Sequence, residues 1–312
     1  MRRFALLVVG LVLGVVSARA DELPVVAVVK SGELAPYDKA VTAFALEARA
    51  RLVEYDLKGD RARATLAFEA LKSHPPALVW ALGPLAAVDA HEDLPDVPLV
   101  FALVPNDEKY GLSGPNVTGV SLTRAPRAQL ETLRALAPAT RAVGVVYDPR
   151  SSALLVARAQ RAATALGLKL VPAAVSDASQ VGETVASLAG KIDALWMVAD
   201  RTVSTVSAFE TLLAFSRAHA VPVFALSEEE VRAGALVSLA PDLAAIGRQS
   251  ARLVNRILRG GIAPGALPVE EPEALDLAIN LSAAQSFGKG CTLALDIFTF
   301  AARHHYPIDV FQ

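Results

Sequence analysis

Polar residues follow short apolar runs at many points of this chain, where a strand would lead into a helix. Side chains at a helix start can help to hold an anionic group, because the first backbone N–H groups of a helix have no partner within it. Hydroxyl and carboxylate groups there can equally cap their own helix, and convergence of both halves of the chain on one cleft would favour binding. The candidate ligand-binding residues are Ser31, Tyr37, Gly83, Pro84 and Val104 in the first half, and Asp148, Ser151, Ser152, Asp200, Arg201, Thr202, Ser227 and Asp242 in the second.

The motifs of common enzymes and cofactor sites are missing from the sequence. It has no Gly-x-Ser-x-Gly nucleophile turn, no Walker phosphate loop, no Gly-x-Gly-x-x-Gly and no His-Glu-x-x-His. His304 and His305 are adjacent and project in different directions, which makes them a poor metal pair. The acidic run from Glu228 to Glu230 indicates the first turn of a helix rather than a catalytic carboxylate pair. We therefore expect no enzyme activity, no cofactor and no metal ion.

Alternating strands and helices must position the candidate residues. β-Rich runs such as Val25–Val29 and Pro98–Ala102 alternate with helical patterns such as Arg61–Lys72, which predicts parallel sheets with helices on both faces. Ligands of such sheets bind beyond the carboxyl ends of the strands, where the candidates lie. A turn-rich stretch at 111–119 interrupts the alternation, which restarts at Ala128. The sequence therefore predicts two α/β lobes.

Composition excludes several classes of partner. The formal net charge is -2 with both signs interspersed, which leaves no basic surface for nucleic acid. Hydrophobic residues make up 53% of the chain, so we expect folded lobes rather than disorder. Cys291 is the single cysteine, and no internal disulfide can form.

The amino terminus has the pattern of an export signal. Arg2 and Arg3 precede an uncharged apolar run from Phe4 to Val16, and the small-x-small pattern ends at Ala20. We expect residues 1–20 to be a signal peptide that is cleaved after Ala20. Asp21 follows instead of a cysteine, so no lipid anchor is expected. These features predict a free periplasmic protein.

Eight segments occur in an order and spacing that resemble a known family. They include Pro115-Asn116-Val117-Thr118-Gly119 and lie at 115–121, 143–149, 221–225, 232–236, 241–249, 257–260, 267–270 and 279–281. Together they resemble the type I periplasmic substrate-binding proteins of ABC importers, in the branch whose better-known members bind tryptophan and tyrosine. The resemblance implies two Rossmann-like lobes with parallel central sheets, joined by a three-crossing hinge. The ligand would be trapped between the lobes by hinge closure.

Lobe boundaries and partners follow from the same resemblance. The first lobe would be 21–121 plus 242–262, the second 122–241 plus 263–287, and 288–312 would be an atypical tail without assigned function. The implied partners are a small-molecule ligand and an inner-membrane ABC permease with its ATPase, and the protein would be a monomer. The alternative is a sensor module of the same fold that presents its ligand-bound form to a membrane receptor such as a histidine kinase.

Two departures from the family pattern bear on the ligand. Asp200-Arg201-Thr202 stands where relatives have Asp-Asn-Thr, and Gly83-Pro84-Leu85 stands where relatives have Gly-Thr-Pro. The first lobe thereby loses a hydroxyl, and the second gains a guanidinium that can bind a carboxylate through two hydrogen bonds. The expected ligand is amino-acid-like or an apolar carboxylate. Arg201 could alternatively be a solvated charge at the rim.

Overall fold

The computed structural model describes residues 23–122, 126–287 and 294–312. The predicted signal peptide, residues 1–20, lies outside the described residues, as do residues 288–293 of the predicted tail. Two separate sheets, each flanked by helices, confirm the predicted α/β class. No helix within the described ranges is long and apolar enough to span a bilayer.

The first sheet has five parallel strands in the order β2-β1-β3-β4-β5. Val26 and Val28 pack into one apolar cluster, whereas Ala27 and Val29 pack into another, because consecutive side chains of a strand point to opposite faces. The sheet is therefore buried on both faces. Its elements are β1 (Val25–Lys30), α1 (Ala35–Glu47), β2 (Arg51–Asp56), α2 (Arg61–Ser73), β3 (Leu78–Leu82), α3 (Pro84–Asp93), β4 (Leu99–Ala102), a 3-10 turn (Asp107–Tyr110) and β5 (Val117–Val120).

The turn predicted for residues 111–119 is wrong for residues 117–119, which belong to strand β5. Gly119 is part of this edge strand, and a Cβ atom there would lie 2.4 Å from the backbone oxygen of Phe101. Glycine is thus required by the close approach of two strands, which a single sequence does not distinguish from a turn.

The second sheet has seven strands in the order β12-β11-β10-β9-β8-β6-β7. Strand β11 runs antiparallel to β10, so the parallel prediction holds for the centre of the sheet and not for this edge. The strands are β6 (Ala142–Tyr147), β7 (Lys169–Ala174), β8 (Ala194–Trp196), β9 (Val223–Ala225), β10 (Val237–Pro241), β11 (Leu275–Asn280) and β12 (Ile308–Phe311). The helices after β5 are α4 (Pro126–Leu136), α5 (Pro149–Ala165), α6 (Val181–Ala186), α7 (Val206–His219), α8 (Glu228–Arg232), α9 (Leu243–Gly260), α10 (Leu281–Ser286) and α11 (Ala294–His304).

Helix α9 follows β10 of the second sheet but packs on the first. Its residues Ile246 and Val254 share a core cluster with Phe44 and Trp80. A Cβ atom at Gly247 would lie 2.1 Å from the carbonyl oxygen of Ala40, so glycine lets α9 approach α1 closely. The chain therefore returns to the first lobe before it completes the second.

The passages between the lobes are held side by side. The backbone N–H of Ser121, after β5, donates to the carbonyl oxygen of Glu270, which lies between α9 and β11. Val120 forms a parallel bridge with the same residue. Two of the connections thus form one paired structure at the junction of the lobes.

The carboxyl-terminal segment belongs to the second lobe. Ile297 and Ala301 of α11 are buried in the core of that lobe, and β12 extends the sheet by pairing with β11. This packing was not predicted from the sequence.

We expect Ile297→Ala to lower the free energy of unfolding by ~2–4 kcal/mol, because it removes a buried side chain and leaves a cavity. Phe298→Ala is the matched control, since Phe298 is 46% exposed, and should change stability by less than ~0.5 kcal/mol. Urea denaturation measures both variants. Equal, small effects would contradict the packing of α11.

Candidate functional site

A buried carboxylate joins the carboxyl ends of β6 and β8. Asp200 is 1% exposed, and its Oδ2 accepts hydrogen bonds from the backbone N–H of Asp148 (2.9 Å) and the hydroxyl of Ser152 (2.8 Å). Its Oδ1 accepts a hydrogen bond from the backbone N–H of Thr202 (3.0 Å). Both carboxylate oxygens of Asp200 are thus hydrogen-bonded within the protein. Asp200 therefore holds the loop after β8 against the start of α5, and this part of the second lobe is called the rim below.

Asp148 is the second centre of this network. Its carboxylate accepts hydrogen bonds from the Arg150 guanidinium (2.7 Å) and from the Thr202 hydroxyl (3.0 Å). The hydrogen bonds from Arg150 hold the pKa of Asp148 well below its usual range. The structure therefore brings the candidates Asp148, Ser152, Asp200 and Thr202 together, and Ser151 lies beside them in the first turn of α5.

The first-lobe candidates form a closed cluster of their own. The Ser31 hydroxyl accepts a hydrogen bond from the backbone N–H of Ala86 (2.9 Å) and is hydrogen-bonded to the Tyr37 hydroxyl. A Cβ atom at Gly83, whose φ is +84°, would lie 2.0 Å from the Tyr37 hydroxyl oxygen. Gly83 is therefore needed for this packing, and Pro84 begins α3 directly beside it.

Val104 does not line a cleft with its side chain, which is fully buried under the first sheet. Leu103 adopts a left-handed conformation (φ +56°) that turns the chain, so that Val104 points back into the core. Asn106, two residues later, makes the contact that sequence analysis missed. Its side-chain amide donates to the carbonyl oxygens of Ala199 (3.1 Å) and Ser151 (3.5 Å) in the second lobe.

Ser227 and Asp242 cap their own helices. Ser227 accepts a hydrogen bond from the backbone N–H of Glu230, whose carboxylate accepts from the backbone N–H of Ser227 in return. Asp242 accepts from the backbone N–H groups of Ala244 (2.8 Å) and Ala245 (3.1 Å) at the start of α9. For these two candidates the structure shows the capping role.

Arg201 differs from the other candidates because its guanidinium is exposed. No hydrogen bond or ion pair joins it to any other residue in the described parts of the chain. Leu34, between β1 and α1, is 52% exposed, and Val206, the first residue of α7, is 77% exposed. The contact of Asn106 with Ala199 shows that the carboxyl edges of the two sheets face each other. Arg201 and Val206 follow β8 and Leu34 follows β1, so all three lie in connections beyond the carboxyl ends of strands.

An acidic cluster lies at the same edge of the second sheet. Asp276 pairs with Ala240 in the β10–β11 register. Burial, followed by the nearby charges of Asp242, Asp309 and Glu228, raises the pKa of Asp276 to about 6, while Lys39 of the first lobe opposes the shift. Asp276 therefore titrates well above the usual range of an aspartate.

The sequence model of the family described as ABC transporter substrate binding protein matches residues 47–303. The chain belongs to this family. A tyrosine-binding protein of Clostridioides difficile (strain R20291) is 26% identical to this substrate-binding protein over 211 residues. The aligned part is 65% of this chain and 60% of that relative.

Solved structures share its fold. An ABC domain in complex with L-Trp from Streptococcus pneumonia has a TM-score of 0.67 at 22% identity, over 88% of this chain and 98% of that one. The ligand-free, open structure of a substrate binding protein with adhesive properties from Clostridium difficile has a TM-score of 0.76 at 20% identity, over 93% of this chain and 100% of that one. The fold is that of a type I periplasmic binding protein.

We expect Asp200→Ala to lower the free energy of unfolding of this substrate-binding protein by ~1–3 kcal/mol, because the Ser152 hydroxyl and the Asp148 N–H lose their buried acceptor. Chemical denaturation measures the effect. The control is Asp193→Ala, whose carboxylate accepts from the backbone N–H groups of Arg141 and Ala142 at an exposed position. A smaller loss at Asp200 than at Asp193 would contradict its central role.

Asp276→Asn should stabilise the protein at pH 7.5 by ~1 kcal/mol, a value reduced for solvent screening, and leave stability at pH 4 unchanged. The folded-state pKa of about 6 lies above that of an unfolded aspartate. The unfavourable charge is therefore absent below pH 4 and stability is lost as the pH rises through 6. Urea denaturation at both pH values tests this, with the exposed Asp296→Asn as control. The same gain at pH 4 would rule out titration as its cause.

Proposed function

We propose that this protein captures a small carboxylate with an apolar body in the cleft between its lobes and delivers it to an ABC permease. The observation that carries the proposal is the exposed Arg201 at a rim whose other polar groups are satisfied within the protein. A guanidinium without a protein partner can form two parallel hydrogen bonds with a ligand carboxylate. Leu34 and Val206 supply exposed apolar surface at the two sheet edges.

The relatives support a ligand of this chemistry. One is named a tyrosine-binding protein, and one solved structure holds L-Trp. Both amino acids combine a carboxylate with a large side chain. The first lobe of this chain has Gly83-Pro84 at the start of α3, so α3 offers no hydroxyl there. The ligand carboxylate would therefore be held from the second lobe.

Capture would proceed by closure of one lobe onto the other. The Asp148–Asp200 network keeps the second-lobe rim in one shape before the ligand arrives, which reduces the entropy cost of binding. Closure excludes water and strengthens the polar contacts of the bound ligand. Export to the periplasm, supported by the signal-like residues 1–20, would place the protein beside an inner-membrane permease and its ATPase.

A thermal-shift screen of residues 21–312, stripped of carried-over ligand, identifies the ligand class. The panel contains aromatic and aliphatic amino acids, aromatic acids, nucleosides and sugars. A ligand at 100 times its dissociation constant adds about 2.7 kcal/mol of stability. We expect hits among carboxylates with apolar bodies. Hits confined to sugars or nucleosides would contradict the proposed chemistry, and a hit that binds without uptake in a permease assay would favour the sensor role.

Arg201→Gln should weaken binding of such a hit by ~1.5–3 kcal/mol, roughly 10- to 100-fold, because it removes a charged hydrogen-bond partner. The matched control is Arg161→Gln, an exposed arginine on α5 outside the rim. Isothermal titration calorimetry measures both variants. An unchanged dissociation constant in Arg201→Gln would show that Arg201 is a solvated charge.

A further inference from the structure

The loop after β4, residues 103–110, is anchored firmly on the first lobe. Leu103 and Val104 are buried in the clusters on the two faces of the first sheet. Asp107 accepts a hydrogen bond from the hydroxyl of Ser121 (2.7 Å) in the first passage between the lobes. The backbone N–H of Lys109 donates to the carbonyl oxygen of Asn106 (3.0 Å) and closes the turn. This loop is called the strap below.

Asn106 and Glu108 of the strap contact the second lobe. The Asn106 side chain is 8% exposed, and its amide reaches the carbonyl oxygens of Ala199 and Ser151. Glu108 forms an ion pair with Arg158 of α5. One face of the strap thus joins the first sheet, and the other joins the loop after β8 and helix α5.

The other first-lobe turns after β1 and β3 make no such contact. Among the described residues, no hydrogen bond or ion pair joins the first-lobe turns at 31–38 and 83–85 to the second-lobe turns at 200–205 and 227–230. Of these described first-lobe segments, the strap is therefore the one that joins the second lobe by hydrogen bonds and an ion pair.

The Glu108–Arg158 pair also separates two spaces. A cavity of about 80 Å³ is lined by Asn106, Ser151 and the two residues of the ion pair. A recess of about 420 Å³ lies behind it, against Ser121 and Glu270 of the interlobe passages, and the same two charged residues line it. The ion pair therefore lies between two recesses at the junction of the lobes.

We propose that the strap is a latch that acts without ligand and holds the two lobes together where it contacts Ser151, Arg158 and Ala199, so that the lobes separate only at the other first-lobe turns. A protein held in this way samples fewer open arrangements, and the population competent to close on a ligand rises accordingly. An isolated ion pair at the surface contributes little. Here the buried Asn106 amide adds directional hydrogen bonds that fix where the lobes meet.

Distances between spin labels on the two lobes test the latch in the absence of ligand. The labels are placed at Leu46→Cys on α1 and Ala214→Cys on α7, both exposed, in a Cys291→Ser background that removes the single native thiol. Asn106→Ala, Glu108→Arg and Arg158→Glu should each broaden the distance distribution and lengthen its mean. The double exchange Glu108→Arg with Arg158→Glu restores an attractive pair and should return the distribution toward that of the parent.

Arg161→Glu changes the same charge three residues further along α5 and should leave the distribution unchanged. Unchanged distributions in all three single variants, or equal broadening in Arg161→Glu, would overturn the proposal. Failure of the double exchange to restore the parent distribution would overturn the role of the ion pair. Melting temperatures verify that each variant is folded.

The consequence for affinity rests on the proposed capture of a ligand, whereas the distance measurement does not. A ligand screen without any hit, together with broadened spin-label distances in the strap variants, would argue against ligand capture and leave the latch standing. A confirmed ligand with unchanged distances would count against the latch alone.

Discussion

The second-lobe half of the cleft depends on one buried carboxylate. Asp200 connects the end of β8 to the start of α5 by accepting hydrogen bonds from Asp148 and Ser152, and it closes its own loop through Thr202. A carboxylate with so little exposure is stable only because both of its oxygens are hydrogen-bonded. The rim therefore exists in one arrangement before any ligand arrives, and the exposed Arg201 is carried between two residues of that network.

Polar side chains that are already hydrogen-bonded within the protein are less available to a ligand than those without a partner. Ser31, Asp148, Ser227 and Asp242 all accept hydrogen bonds from backbone N–H groups at helix starts. The starts of α3, α5, α8 and α9 are thus already capped, whereas α1 has no side-chain cap. In the proposed capture, selectivity would then rest on Arg201 and on exposed apolar side chains, rather than on the capping residues themselves.

The alternating pattern of strands and helices was readable from the sequence because buried parallel strands are continuous apolar runs. What was not readable depends on distant contacts. Gly119 resembles a turn residue until β4 lies against it, and Val104 resembles a cleft residue until Leu103 turns the chain. Helix α7 begins only at Val206, because the Asp200 carbonyl oxygen accepts hydrogen bonds from the backbone N–H groups of Val203 and Ser204 and closes a separate turn first.

The strap restrains the distance between the lobes where it contacts the second lobe, and leaves that distance unrestrained at the other first-lobe turns. Where Asn106 meets Ala199 the distance between the lobes is set by the protein, so a ligand there must fit a fixed space. At the turns that carry Leu34 and Arg201, no described hydrogen bond or ion pair joins the two lobes, and in the proposed capture the ligand would complete the interface. A carboxylate bound by Arg201 would be held by the flexible geometry of a long side chain. The apolar body would then lie nearer the strap, where the fixed spacing of the lobes makes shape the stricter criterion.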